Sequence, residues 1–138
     1  MVVLAIIGLI VSISIPSLTG YSQQVRLKAA ARQVVGLVSL ARSRAIGTRQ
    51  EQAVVVDVEH GQVSVVDVSS GEVLEPVVRV PPFISIHVQV GEQSAAEPQL
   101  VFRATGALTG RTTSITLADR QHQQTITVIG ATGAVSVD

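Results

Sequence analysis

The residues able to form an active site or a metal centre are few and far apart. The three histidines, His60, His87 and His122, fall in a predicted turn, strand and loop, without the spacing of metal ligands. The chain has no cysteine, so thiolate chemistry and disulfides are both excluded. Serines are plentiful, but none lies in a Gly-x-Ser-x-Gly nucleophile motif. The sequence therefore shows no catalytic constellation.

Phosphate binding and paired carboxylates are the next candidates, and the residues support neither. Gly106 and Gly110 punctuate the segment 104–110, but the Gly-Lys-Ser/Thr ending of a phosphate-binding loop is missing, and we predict two β-turns. Asp57 and Asp67 flank a predicted hairpin and could be taken for a functional pair of carboxylates. Two solvated carboxylates at the ends of strands explain them equally well. We predict a protein that is not an enzyme and uses no cofactor or metal ion.

The length of 138 residues allows one domain with a modest hydrophobic core, together with an N-terminal segment. The formal net charge is zero, but residues 1–50 carry six basic and no acidic residues. Residues 51–138 carry four basic residues and all ten acidic ones. One tyrosine and two phenylalanines are too few to build a stacking surface for single-stranded nucleic acid.

The N-terminus is an apolar run with no charge before Arg26. Such a run has no polar face, so it must be buried in lipid or against other copies of itself. A transmembrane helix needs about 20 apolar residues, and residues 1–15 are fewer, so we expect a helix cut off at an internal methionine. A buried core helix and a signal-peptide remnant are the alternatives. The residues assigned to the membrane or filament-core helix are Val2, Val3, Leu4, Ile6, Ile7, Gly8, Leu9, Ile10, Ile13, Ile15 and Pro16.

An amphipathic stretch follows the apolar run. Its apolar residues are spaced four and three apart, which places them on one helix face that we expect to pack on the rest of the chain. This stripe comprises Leu27, Ala31, Val34, Val38, Ala41 and Ala45. We predict one long helix ending at about Gly47, with Pro16 as a kink near the junction of its two parts.

The rest of the chain reads as seven or eight short antiparallel strands. Valine-rich alternation over 53–58 and 62–68 around His60-Gly61 predicts a hairpin. Pro76 makes 72–80 an edge strand or a broken one, and 91–98 is a polar loop. The remaining predicted strands are 83–90, 99–103, 113–119, 124–130 and 134–137. The fold class is α+β: a long helix packed on a sandwich-like pair of sheets.

The N-terminal half resembles the type IV pilin-like proteins, and the C-terminal half favours one family among them, the GspH/FimT family of minor pseudopilins and minor pilins. Residues 1–18, MVVLAIIGLIVSISIPSL, match the continuation of the family's apolar start, including Gly8 and Pro16. Residues 26–50 resemble its amphipathic helix, which ends in an Ala-Arg-Ser-x-Ala-Ile motif. In this chain the motif residues are Ala41, Arg42, Ser43, Ala45 and Ile46.

The C-terminal half carries a weaker form of the same resemblance. VFRATG (101–106) is similar to the family's Phe-x-Pro-x-Gly turn, with Ala104 where proline is usual. Residues 114–119 and 126–137 resemble its last strands, with Thr132-Gly133 at their turn. The first acidic residue is Glu51, so we expect the family's basic leader, peptidase cleavage site and early glutamate to lie before the internal methionine at position 1.

The resemblance implies a minor pseudopilin of a type II secretion system, placed at or near the tip of the pseudopilus. It implies residues 1–22 as a membrane and filament segment and 23–138 as a periplasmic pilin-like domain, made of a helix over 23–48 and a β-domain over 52–138. The expected location is a single pass of the bacterial inner membrane. The expected partners are other minor and major pseudopilins or pilins, the assembly platform, and prepilin peptidase acting on the full-length precursor.

The alternative function is that of a FimT-like minor pilin of a type IV pilus, involved in pilus assembly or DNA uptake. That resemblance implies basic residues near the C-terminus, whereas residues 121–138 contain none, so nucleic acid is disfavoured as a partner. Two interpretations of the helix cations stay open: a solvated face, or contacts to neighbouring subunits. These cations are Arg26, Lys28, Arg32, Arg42 and Arg44.

Overall fold

A single helix forms the N-terminal third of the protein. The computed structural model describes residues 1–94 and 98–138, except for the side chains of residues 14–19 and of Glu75. Helix α1 spans Val2–Thr48 and is followed by Arg49, which ends it in the left-handed conformation with φ 55°. The long helix predicted from the sequence is confirmed. The side chains of Ile15 and Pro16, and with them the predicted kink, lie outside the described residues.

Nine strands follow within the described part of the chain and form two antiparallel sheets. The first sheet has the order β3-β2-β1-β6, and the second has the order β5-β4-β7-β8-β9. The strands are β1 Gln52–Asp57, β2 Gln62–Asp67, β3 Val73–Arg79, β4 Ser85–Val90, β5 Gln93–Ser94, β6 Gln99–Phe102, β7 Thr113–Ala118, β8 Gln123–Val128 and β9 Val135–Val137.

The strand predictions agree closely with these bounds, with one correction. β1 and β2 form the predicted hairpin, and β3, which contains Pro76, is an edge strand with a register shift against β2. Proline fits there because an edge strand leaves some N–H groups unpaired. The segment 91–98 was predicted to be all loop, but β5 pairs with the end of β4 inside it. Residues 95–97 of that segment lie outside the described residues.

The core lies between the helix and both sheets. The six stripe residues of α1 are buried, together with Ala30 and Leu37, which widen the stripe. Inward-facing side chains of alternate strand positions meet them, as in β4, where Ile86 and Val88 are buried while His87 faces outward. Because apolar groups of α1 contact strands of both sheets, the helix joins the two sheets into one domain.

Candidate assembly surface

The first turns of α1 expose a continuous apolar surface. Every large apolar side chain from Val2 to Ile13 is at least 52% exposed. Ser12 does not break this surface, because its hydroxyl donates to the carbonyl of Gly8 at 2.9 Å within the same helix. An apolar patch of this extent on a protein surface marks a site of contact with lipid or protein.

Helix length and hydropathy are the properties by which a membrane-spanning helix is recognised. Among the helical residues that the structure describes, no segment combines the length and apolar character needed to cross a membrane. Gly8 has open space around the position of an added Cβ, so another helix can approach the backbone closely there.

The five predicted basic contacts do not share one surface. Lys28 and Arg32 are exposed on one flank of α1, where they line a hollow of about 410 Å³ beside Gln124 and Val137 of the second sheet. They also line an adjoining hollow of about 280 Å³ along the helix. Arg26 is exposed as well, but it lies two residues from Lys28, roughly 200° around the helix. It therefore points toward the other flank, as does half-buried Arg44.

That other flank faces the edge strand of the first sheet. A mostly apolar groove of about 390 Å³ runs between the helix and β3. Gly36 and Leu40 line it from the helix, and Pro76 and Val77 line it from the strand. The helix therefore has an open hollow on each side, basic toward β9 and largely apolar toward β3.

Arg42 is placed differently from the other four cations, because its guanidinium binds the chain itself. Its Nε donates to the carbonyl of Gly106 at 3.2 Å, and its Nη2 donates to the carbonyl of Thr132 at 3.1 Å. These acceptors lie in the β6–β7 and β8–β9 loops. We call Arg42, Gly106, Thr132 and Gly133 the helix-end clamp, since one side chain of α1 holds both loops.

Close backbone packing explains the glycines of the helix-end clamp. A Cβ added to Gly133 would lie 2.0 Å from the carbonyl oxygen of Gly106, and Gly133 has a φ of +67°. A Cβ added to Gly106, at φ +83°, would lie 2.8 Å from the Cδ1 of Ile46. Gly133 therefore needs glycine for space and for conformation, whereas Gly106 needs it mainly for conformation, because the exposed side chain of Ile46 can move aside. The helix-end motif, the VFRATG turn and the Thr-Gly turn noted in the sequence thus meet at one place.

The polar turns of the β-domain have structural explanations. Asp57 accepts the backbone N–H of His60, and Asp119 accepts those of Gln121 and His122, so each carboxylate closes a turn. These N–H groups are the main reason that the pKa of each aspartate is lowered. Within residues 1–94 and 98–138, no group of three or more His, Asp and Glu side chains is arranged to hold a metal ion.

Asp67 closes a third turn and supplies a pH-dependent contribution to stability. The hydroxyl of Ser69 and the amide of Gln52 both donate to its carboxylate. These bonds, the Ser69 hydroxyl first, lower the pKa of Asp67 from 3.8 to about 2. Because the folded state holds the charged form, this contribution is complete above about pH 4 and is lost as the pH falls toward 2.

We therefore expect Asp67→Asn to flatten the acid side of the stability profile. The full chain in non-ionic detergent would be melted at pH values from 6 to 2. Between about pH 4 and pH 2, the wild type should lose more thermal stability than the variant. Glu59→Gln, at an exposed turn position, should retain the wild-type slope. Parallel profiles for the wild type and Asp67→Asn would contradict the assignment.

Comparison with known proteins places these features in context. The model of the family described as type II transport protein GspH matches residues 30–133, which include the whole helix-end clamp. No curated protein matches the chain in sequence.

Solved structures with the same fold include two kinds of pilin-like protein. The minor pseudopilin EpsH from the type 2 secretion system of Vibrio cholerae has a TM-score of 0.68 at 16% identity, covering 82% of this chain and 96% of that one. The type IV minor pilin FimU of Pseudomonas aeruginosa has a TM-score of 0.66 at 15% identity, covering 86% and 92%. Both share with this chain a long helix packed on a β-domain.

Proposed function

The chain belongs to the GspH family of type II transport proteins, and we propose that it acts as a minor pseudopilin at or near the tip of a type II secretion pseudopilus. One observation carries this proposal. The family match spans residues 30–133, and the same helix that enters this domain continues outward as the exposed apolar surface Val2–Ile13. A folded domain that carries an exposed apolar helix is suited to assembly with other subunits through that helix.

The mechanism that we propose is burial of the exposed helix, first in lipid and then against other pilin-like subunits. Complete burial of one Val, Leu or Ile side chain is worth about 1.5–3 kcal/mol. Nine such side chains between Val2 and Ile13 are 52–73% exposed, so burying the exposed part could supply on the order of 10 kcal/mol or somewhat more. That sum is comparable to or larger than the roughly 4–15 kcal/mol cost of association, so the segment is sufficient to drive insertion and packing.

The proposed organisation follows from this mechanism. Residues 1–22 form the membrane and filament-core segment of a single-pass inner-membrane protein, and residues 23–138 form its periplasmic domain. The proposed partners are other pseudopilins, the assembly platform, and prepilin peptidase acting on the full-length precursor. The absence of a metal or cofactor requirement is part of the proposal, because the protein would work by assembly alone.

The second candidate is a minor pilin of a type IV pilus, which the likeness to FimU favours. A role in DNA uptake would need cations to hold phosphates. The segment 121–138 has no arginine or lysine, and the exposed cations of the helix are divided between two flanks. A gel-shift titration of the full chain with duplex DNA would favour this candidate if it showed salt-sensitive binding at micromolar concentrations or tighter.

Secretion by the bacterium that carries the gene tests the main proposal. We expect Ile6→Asp combined with Ile10→Asp to reduce secretion at least about tenfold, since two charges in the apolar surface oppose its burial. Val68→Asp, an equally polar change at an exposed β-domain position, is the matched control and should secrete normally. Normal secretion by the double variant, or a defect in DNA uptake without one in secretion, would contradict the main proposal.

A further inference from the structure

Tyr21, Lys28 and Arg32 lie on one face of α1, a short distance after the apolar run. They are seven and four residues apart, which keeps them within roughly 40° of one another around the helix. Tyr21 is 69% exposed and is the one tyrosine of the chain. All three residues line the hollow of about 280 Å³ along the helix. We call them the aromatic-basic face.

The aromatic-basic face carries positive charge that its surroundings do not neutralise. Lys28 and Arg32 stand four residues apart, a spacing at which like charges repel. Among the described side chains, the ion pairs are those of two histidines in turns of the β-domain, and α1 contains no acidic residue. Asp138 follows Val137, which lines the adjoining hollow. When Asp138 is counted, two cations against one carboxylate still leave a net charge of +1.

The other carboxylates at this end of the domain lie away from the aromatic-basic face. Asp119 lines a hollow on another side of the helix, together with Gln23 and Arg120. Its side chain is only 4% exposed and accepts two N–H groups of its own turn, and Arg120 offsets its charge. Asp57 and Glu59 belong to the β1–β2 turn, and the hollow at that turn is lined by no described residue of α1.

The position of the aromatic-basic face along α1 matches the surface of a bilayer. Leu18 is the last residue of the apolar run, and Tyr21 follows roughly 4.5 Å further along the helix. That distance lies within the headgroup layer, which is about 5–8 Å thick on each side of a bilayer and is where tyrosine is enriched. Lys28 lies roughly 15 Å beyond Leu18. It is therefore about 7–10 Å outside the headgroup layer, which is about one Debye length.

We propose that the aromatic-basic face binds anionic phospholipid headgroups before assembly, and thereby sets the tilt and rotation of α1 in the membrane. This rests on the proposed function, in which residues 1–22 are embedded in the bilayer. Tyrosine, lysine and arginine at the end of a membrane helix fix its tilt and rotation in this way. Helical side chains lean toward the N-terminus, so Lys28 reaches back toward the headgroups. A phosphate held by Lys28 and Arg32 also relieves the repulsion between them.

Lipid fits this face better than the other anionic occupants, a nucleic acid and an acidic protein segment. Two cations neutralise few phosphates of a nucleic acid. A bilayer that covers the exposed apolar surface Val2–Ile13 reaches Tyr21 on the same helix without any further association. An acidic segment of another subunit would instead have to pay the full cost of a separate binding event. The continuity of the two surfaces therefore favours lipid.

Fluorescent labels on single cysteines test the proposal, and the lack of native cysteine makes each label unique. Gln24→Cys places the label in the hollow of the aromatic-basic face. Gln23→Cys is the matched control, because it makes the same substitution at nearly the same height but about 100° around the helix, beside Phe83. Each full-length variant would be reconstituted in vesicles that contain a lipid with a quencher on its headgroup.

The vesicles would consist of phosphatidylcholine alone or with about 30% anionic phosphatidylglycerol. We expect the anionic lipid to raise quenching of the Gln24 label roughly twofold and to leave the Gln23 label nearly unchanged. Salt at about 1 M should abolish the rise, because it shortens the Debye length to about 3 Å.

Charge variants of the Gln24→Cys protein identify the groups responsible. Lys28→Gln with Arg32→Gln should remove most of the rise, because each cation near an anionic surface changes binding roughly fivefold. Arg44→Gln with Arg49→Gln removes the same charge at the far end of the helix and should retain the rise. Asp138→Asn should enlarge it, since it removes an opposing charge.

Three results would overturn the headgroup contact: no response of the Gln24 label to anionic lipid, an equal response of the Gln23 label, or a response unaffected by Lys28→Gln with Arg32→Gln. Protection of the Gln24 label by other pseudopilins, without any response to lipid, would reject lipid in favour of an acidic protein partner. Flotation with the vesicles and normal secretion alongside any of these results would leave the proposed pseudopilin function standing. Loss of secretion by the Ile6→Asp and Ile10→Asp variant tests that function separately.

Discussion

Replacing Gly133 with alanine should cost about 3–5 kcal/mol of folding free energy. The added Cβ would lie 2.0 Å from the carbonyl oxygen of Gly106, and alanine at φ +67° is itself strained. The backbone of one loop must therefore move, which breaks the bond from Arg42 to Gly106 or to Thr132. Since a domain of this size is stable by only about 5–15 kcal/mol, we expect a large drop in melting temperature.

Gly71→Ala is the matched control for this prediction. Gly71 has a similar φ of +71°, but nothing lies within 4 Å of the position of its added Cβ. It should therefore show the conformational strain alone, about 1–2 kcal/mol. The measurement is thermal or urea unfolding of the full chain in non-ionic detergent. Equal losses for the two variants would show that crowding at Gly133 does not matter.

Replacing Val34 with aspartate should prevent stable docking of the helix on the sheets. Val34 is 0% exposed, in the middle of the buried stripe of α1. A carboxylate there has no cation to pair with in that part of the core that the structure describes, because the stripe and its surroundings are apolar. The expected loss is at least about 4 kcal/mol, seen as rapid proteolysis of the β-domain and low abundance in cells.

Val25→Asp is the matched control for the core substitution. Val25 lies on the same helix and is 48% exposed, and its aspartate would stand three residues before Lys28, a favourable spacing for an ion pair. We expect its stability to stay within about 0.5 kcal/mol of the wild type. Normal abundance and protease resistance of Val34→Asp would refute the assigned packing of the helix.

The sequence was sufficient to predict the elements whose signals are local. The four-and-three spacing of Leu27, Ala31 and Val34 predicts a buried helix face because helical periodicity needs no tertiary information. Strict alternation around His87 similarly predicts β4 with one face buried, and Pro76 predicts an edge strand because proline lacks a ladder donor. The strand β5 was missed, since Gln93 and Ser94 alternate over too short a stretch to give any pattern.

Long-range features escaped prediction for an equally physical reason. Nothing near Arg42 shows that its guanidinium binds loops 64 and 90 residues away, and it looked like one more surface cation. The assignment of strands to two sheets also depends on tertiary packing. The glycines at 106 and 133 gave a partial signal, because each stood in a turn motif, but only the fold shows that the two turns touch.

The sequence also did not show that the cations of α1 lie on two different flanks of the helix. Lys28 and Arg32 are four residues apart, which turns the helix by only about 40°, whereas Arg26 and Lys28 are separated by about 200°. Spacing alone suggests this separation, but the sheets decide which flank each cation occupies. Placement beside β9 is what distinguishes Lys28 and Arg32 from the rest.

The helix-end clamp also bears on how the chain reaches its fold in time. Its bonds join residues far apart in sequence, and contacts of that kind close large loops and form late on average. A contact absent from the folding transition state leaves the folding rate nearly unchanged and slows unfolding instead. The clamp would thus mainly slow the unfolding of the domain and leave its folding rate nearly unchanged.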